Sequence, residues 1–261
     1  MTTLPHSQYK QKNSLRRLGG QPTSSMRMIC FPWSGAGASV YRRLAPHLPD
    51  YMELFAIQLP CREDRFNEDC LRRVEQVVNM ILPSIIELTD QPLVLFGHSM
   101  GTLLAYEIAQ ALRRDIQKEP SLLIASGRGA PNIVGNTIKK WHAVDDDVFI
   151  EYLRGMGGTP EAVLNDRELM QTLMRMLKAD YEILETYSCT WTTPLSCPLV
   201  ACAGSDDAHI VHSAVEAWAN VTTGPTTVHW FSGDHFYLMT QPMELMREID
   251  RWITDAGLVN S

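Results

Sequence analysis

The segment Pro92-Leu-Val-Leu-Phe96 runs directly into Gly97-His98-Ser99-Met100-Gly101, and Met100, Leu103, Leu104, Ile108 and Leu112 then recur at helical spacing. An apolar run of this length reads as a buried strand, and the following periodicity as an amphipathic helix. The five residues between them leave room for only a very sharp turn. A side chain at either glycine would collide with neighbouring backbone, and the serine between them is held in strained geometry with its hydroxyl above the sheet edge. The N-terminus of the helix brings unpaired N–H groups and a positive dipole to the same place. Gly-x-Ser-x-Gly alone is a common pattern. A strand before it and a helix after it give it a mechanism, with Ser99 as a nucleophile.

The rest of the chain fits the sheet this turn demands. Apolar runs predict strands at Met26–Phe31, Met52–Leu59, Pro92–Phe96, Leu122–Ser126, Leu199–Ala203 and Thr226–Phe231. Several are apolar throughout, as in strands buried on both faces of a parallel sheet. Val74, Val77, Val78, Ile81 and Leu82 predict a helix before the Pro92 strand. Leu245, Met246, Ile249, Trp252 and Ile253 predict a last helix, with Pro242 in its first turn. From about Asn132 to Pro194 the pattern is helical without a convincing strand, which reads as a lid inserted over the ligand side of the sheet. The expected organisation is therefore a mobile tail over 1–25, a core over 26–131 and 195–256, and a helical lid over 132–194.

Bulk properties remove several function classes. With a net charge of −7 the chain lacks the basic excess that nucleic acid requires. No apolar run reaches the roughly 18 residues of a membrane helix. The six cysteines, Cys30, Cys61, Cys70, Cys189, Cys197 and Cys202, lack the spacing of a metal site or disulfide framework. They read as small buried side chains in a reducing compartment, which places the protein in the cytoplasm. Residues 1–25 are basic, with Lys10, Lys12, Arg16 and Arg17, but have no apolar core of a secretory signal.

A serine hydroxyl needs a base, and the base needs a partner that fixes its tautomer. In a fold built on this turn the chain order is serine, acid, histidine. His6, His47 and His98 precede Ser99 or adjoin it on the wrong side, His142 falls in the lid, and His229 lies within a strand. His209 and His212, near a helix start, read as surface or capping residues. His235, in Ser232-Gly233-Asp234-His235-Phe236 after the last strand, can swing over the sheet edge where Ser99 lies. Its acid should follow the preceding strand, where Ala203-Gly204-Ser205-Asp206-Asp207 offers two carboxylates, one for His235 and one to cap the next helix. Physical reasoning leaves both open. Asp234 is too near His235 in the chain to reach round its ring. Donors for an oxyanion are expected at the backbone N–H of Met100 and in the small-residue loop Phe31-Pro32-Trp33-Ser34-Gly35-Ala36-Gly37-Ala38, at Ser34 or alternatively Trp33.

These segments, together with Gln58-Leu59-Pro60-Cys61-Arg62-Glu63-Asp64-Arg65, Ser126-Gly127-Arg128-Gly129-Ala130-Pro131 and Ala179-Asp180-Tyr181-Glu182-Ile183-Leu184-Glu185-Thr186-Tyr187, resemble the type II thioesterases. These are the stand-alone editing enzymes of nonribosomal peptide and polyketide synthases. The resemblance extends from about Leu15 to the last helix and implies the α/β-hydrolase fold: a mostly parallel sheet covered by helices, with an inserted helical lid. It implies hydrolysis of acyl groups from the phosphopantetheine thiol of carrier domains. Serine chemistry of this kind needs no metal or redox cofactor, and a monomer is the default expectation. The family's acid lies three residues after a glycine and ahead of a tryptophan, so Gly204 and Trp218 point to Asp207 over Asp206. The chain departs from the family at Trp33 (usually His or Tyr), Ser34 (usually Ala) and Cys61 (usually Gly). Met156, Met170, Met174 and Met176 of the lid either adapt to varied acyl chains or simply pack its helices. Lys139 and Lys140 either meet an acidic carrier or form a solvated face. The alternatives are an ester hydrolase or acyltransferase on the same scaffold, and a non-catalytic carrier-binding protein.

Overall fold

All six expected strands form, each within two residues of its expected ends, in a computed structural model that describes residues 14–133 and 140–259. Strands β1 (Leu15–Gly19), β2 (Met26–Phe31), β3 (Met52–Ile57), β4 (Leu93–His98), β5 (Leu122–Ser126), β6 (Leu199–Gly204) and β7 (Thr226–Phe231) make one sheet in the order β1-β3-β2-β4-β5-β6-β7. Every pairing is parallel except that of β1 with β3. Parallel neighbours require crossovers, and these supply helices α1 (Val74–Ile86), α2 (Met100–Ile116), α3 (Asp146–Met156), α4 (Glu161–Leu164), α5 (Arg167–Thr186) and α6 (His212–Glu216). Helices α7 (Tyr237–Thr240) and α8 (Pro242–Asp255) follow β7, with Pro242 in the first turn of α8 as expected.

The apolar runs are explained by two cores. Leu93 and Leu95 of β4 enter the core beneath α1 and α2, while Val94 and Phe96 enter the opposite one with Tyr41, Leu245 and Trp252. Successive side chains alternate between faces, so a strand buried on both must be apolar at every position. Because the strands run parallel, β4, β5, β6 and β7 all end at one edge. Register pairs His98 with Ser126, Ser126 with Cys202 and Gly204 with Phe231, which brings the following loops together.

The insertion over 132–194 is helical, with no strand among its described residues. Its helices share a small core of their own, including Phe149, Leu153, Met170, Met174, Met176 and Leu177. Three of the four lid methionines are thus packing residues, and Met156 alone lines the cavity described below. Lys140 is exposed, and Lys139 lies outside the described residues.

Two expectations are corrected. Leu15–Gly19, expected within a mobile tail over 1–25, forms the antiparallel edge strand β1; residues 1–13 lie outside the described residues. The arginines that disguise the strand are its edge protection: Arg17 pairs with Glu53 of β3 at 2.7 Å and Arg16 with Asp64 at 2.5 Å. The cysteines were all expected free, but Cys61 and Cys70 form a disulfide, with Cα atoms 4.9 Å apart. The other four are free.

Candidate active site

The turn between β4 and α2 has the geometry its glycines demand. Ser99 sits at φ 53°, ψ −114°, left-handed backbone that a non-glycine residue adopts only under constraint. The constraint is visible. Ser99 donates its N–H to the Ser126 carbonyl at 2.8 Å. The Thr102 hydroxyl bridges the carbonyls of Gly97 and Ser126 at 3.0 and 2.9 Å. A Cβ at Gly97 would lie 2.3 Å from the Gly101 carbonyl oxygen, and one at Gly101 would lie 2.0 Å from that of Phe31.

His235 is delivered by the loop after β7. Its Nδ1 donates to Oδ2 of Asp207 at 2.5 Å, and the Asp207 side chain is fully buried. The loops carrying the two are laced together. Asp206 N–H donates to the Gly233 carbonyl at 2.9 Å, and a Cβ at Gly204 would lie 2.2 Å from that of Asp234. Burial by itself would raise the Asp207 pKa, but the hydrogen bond and charge of His235, with the His209 N–H at 3.0 Å, hold it below the usual carboxylate value. Asp206, by contrast, is exposed and, among the described residues, accepts only from the Ser205 hydroxyl at 3.2 Å. It does not cap α6, whose N-cap residue is Val211 with no side-chain bond, so that expectation fails. Asp234 accepts from the Phe236 N–H at 2.8 Å, a local turn bond as expected.

The remaining histidines separate cleanly. His142 bonds Glu185 within the lid, His212 packs on Trp230, and His229 lies beside Glu248. His98, set aside on chain order, is closer to the chemistry than sequence reasoning implied. It is fully buried, its ring centroid 4.9 Å from that of His235, and its Nδ1 shares a hydrogen bond with the Ser126 hydroxyl at 2.8 Å. That hydroxyl continues to the Tyr237 phenol at 2.7 Å. Burial, with the neighbouring His235 charge second, pushes the His98 pKa well down, so it braces His235 as a neutral ring. The signal was its place inside the turn motif.

Ser99, His235, Ser34 and Trp33 line one cavity of about 900 Å³ between lid and sheet edge. Met100 opens α2, where first-turn N–H groups have no partner within the helix. The Ser34 hydroxyl touches the Met100 sulfur at 3.7 Å. Trp33 packs edge-on against His98, Tyr41 and Phe236. Among the described residues no cluster of His, Cys, Asp and Glu is arranged to hold a metal ion.

A model of the thioesterase domain family matches residues 26–253. The chain belongs to that family. It is 34% identical over 223 residues to the gramicidin S biosynthesis protein GrsT of Aneurinibacillus migulanus, covering 85% of this chain and 87% of that protein. The solved type II thioesterase BorB, from the borrelidin biosynthetic cluster, superposes with a TM-score of 0.81 at 32% identity, covering 91% of this chain and 96% of that one. YbtT, a type II thioesterase from the yersiniabactin pathway, superposes with a TM-score of 0.83 at 26% identity, covering 93% and 99%.

In this thioesterase the cavity walls come from both layers. Leu103, Ala130 and Ile210 of the core face Leu153, Met156, Tyr181 and Leu184 of the lid. Arg128 also lines it, near Tyr152, Tyr181 and Tyr187. Burial lowers the Arg128 pKa, and among the described residues its guanidinium has no ion-pair partner. The backbone behind it is pinned by Trp218, whose indole N–H donates to the Arg128 carbonyl at 2.8 Å.

Proposed function

We propose that this thioesterase is a stand-alone editing enzyme, releasing aberrant or stalled acyl groups from the phosphopantetheine thiol of carrier domains in nonribosomal peptide or polyketide biosynthesis. The reading is carried by the Asp207–His235 hydrogen bond at the same sheet edge as the strained Ser99 turn. With Nδ1 engaged by Asp207, the His235 nitrogen left for Ser99 is Nε2. His235 Nε2 takes the Ser99 proton as the hydroxyl oxygen attacks the thioester carbonyl. Asp207, ionised, stabilises the imidazolium and holds its tautomer. The N–H groups of Met100 and Ser34 receive the tetrahedral oxyanion. Collapse breaks the carbon–sulfur bond, and the thiol leaves with the His235 proton. Water, deprotonated in turn by His235, attacks the acyl-serine; the second collapse returns the proton to Ser99 and frees the acid.

The mechanism calls on no metal or redox cofactor, since the substrate arrives on its partner's phosphopantetheine. A monomer working in the cytoplasm beside its synthase completes the proposal. No helix among the described residues is long and apolar enough to cross a membrane.

The decisive experiment compares carrier domains loaded with a panel of acyl groups against simple oxygen esters, using wild type and Ser99→Ala. Carrier-bound thioesters should turn over and the variant should be inert. Better turnover of simple esters would favour an ester hydrolase. A protein that binds loaded carriers, turns over nothing and resists a fluorophosphonate probe would be a non-catalytic binder.

A further inference from the structure

The turn that presents the Ser34 N–H is not held by its own core. Trp33 and Ala36 close it through a 3.0 Å bond from the Ala36 N–H to the Trp33 carbonyl, with Gly35 at φ +82° as a type II turn requires at its third residue. Because the peptide unit is planar, anchoring the Trp33 carbonyl also fixes the direction of the Ser34 N–H at the other end of that plane. The next plane is anchored from outside. The Gly35 N–H donates to Oδ2 of Asp180 at 2.8 Å, and Asp180 belongs to α5 of the lid.

Asp180 is fully buried, and what holds its charge there is Arg62. Arg62 clasps it in a bidentate pair, Nη1 to Oδ2 at 2.9 Å and Nη2 to Oδ1 at 2.7 Å. Arg62 Nη1 also donates to the Ala36 carbonyl at 3.0 Å, the last residue of the turn. A pair buried this deeply gains little net stability, because desolvation offsets most of the attraction. An apolar pair of similar volume would pack as well. It could not, however, accept the Gly35 N–H or donate to the Ala36 carbonyl.

We propose that Arg62 and Asp180 are positioning residues for the oxyanion-binding turn, through which lid helix α5 sets the rate of the chemical step. The inference rests on the assignment of Ser99 and Ser34 above. It makes α5 part of the catalytic frame rather than a flap over it. Leu177, one turn earlier on α5, has its Cδ2 2.8 Å from where a Gly35 Cβ would stand, so the same helix also seats the turn sterically.

The test uses Asp180→Asn, Arg62→Lys and the double variant Arg62→Met/Asp180→Leu. Each is titrated with a fluorophosphonate, so that rates are expressed per competent Ser99, and melting temperatures are measured alongside. For carrier-bound thioesters we expect kcat per titrated site to fall about 10- to 100-fold, less than the roughly 10²–10³ for outright loss of an oxyanion donor because the donor is displaced and not removed, with KM changed less than about threefold. Affinity for a boronic acid, which mimics the tetrahedral adduct, should fall by a similar factor. Affinity for the non-hydrolysable amide analogue of the substrate should not. Arg62→Lys, which keeps the charge and one donor nitrogen, should lose less than the other variants. The double variant removes the buried charges together, so it separates positioning from folding. Near-wild-type melting with the same loss of kcat supports the proposal, and retention of kcat within about twofold overturns it. A wild type that reacts with the probe but not with carrier-bound thioesters would remove the thioesterase reading alone. The probe reaction needs the same oxyanion site, so equal labelling rates in wild type and double variant would then overturn the positioning role.

Discussion

Replacing Asp207 by asparagine changes one atom and should disable the site. The carboxylate accepts the His235 Nδ1–H at 2.5 Å and the His209 N–H at 3.0 Å. An asparagine can keep the second bond only by turning its NH₂ towards His235, where it donates to Nδ1. The proton then resides on Nε2, and the nitrogen that should accept from Ser99 becomes a donor. Loss of the correct tautomer together with the charge that stabilises imidazolium costs about 10⁴ in kcat where a comparable triad has been altered. That corresponds to about 5.5 kcal/mol of barrier. Asp206→Asn, at an exposed side chain bonded to Ser205, should stay within about twofold of wild type. The assay is single-turnover and steady-state hydrolysis of one acyl-loaded carrier by both variants near pH 7. A larger loss in Asp206→Asn, or equal losses, would refute the assignment and the tautomer argument with it.

Three further outcomes follow from the geometry. Gly101→Ala places a Cβ 2.0 Å from the Phe31 carbonyl oxygen, so urea unfolding should show a loss of at least about 1–3 kcal/mol and the fluorophosphonate should label little of the protein. Asp166→Ala removes the side chain that accepts the Leu169 N–H at 3.0 Å at the start of α5; about 1 kcal/mol of stability should be lost, with kcat per labelled site unchanged. The Asp207 carboxyl titrates below its ordinary value in the folded protein, so its contribution to stability is complete above the unfolded value of about 3.9 and disappears as pH falls through the lower folded value. Denaturation midpoints of wild type and Asp207→Asn should therefore differ at pH 5–7 and draw together as pH falls below the unfolded value of about 3.9; a gap that closes instead between pH 6 and 8 would contradict the pairing.

What the chain discloses by itself is short-range. The strand, the sharp turn at Ser99 and the helix after it are encoded by apolar periodicity and by glycines at positions where a Cβ has no room. His235 could be picked out from eight histidines because only one follows the last strand in a loop. Identical neighbouring side chains carry no such local signal. Asp206 and Asp207 differ only in which way the loop turns them, and the Gly233 backbone bonded to the loop after β6 decides that. Strand β1 escaped notice because its arginines are matched by Glu53 and Asp64, partners in a strand and a loop elsewhere. Arg62 and Asp180 lie 118 residues apart, and each looks like an ordinary surface charge in sequence. Whether two opposite charges meet in a buried pocket under a turn depends on how the lid closes on the sheet, and only the assembled layers determine that.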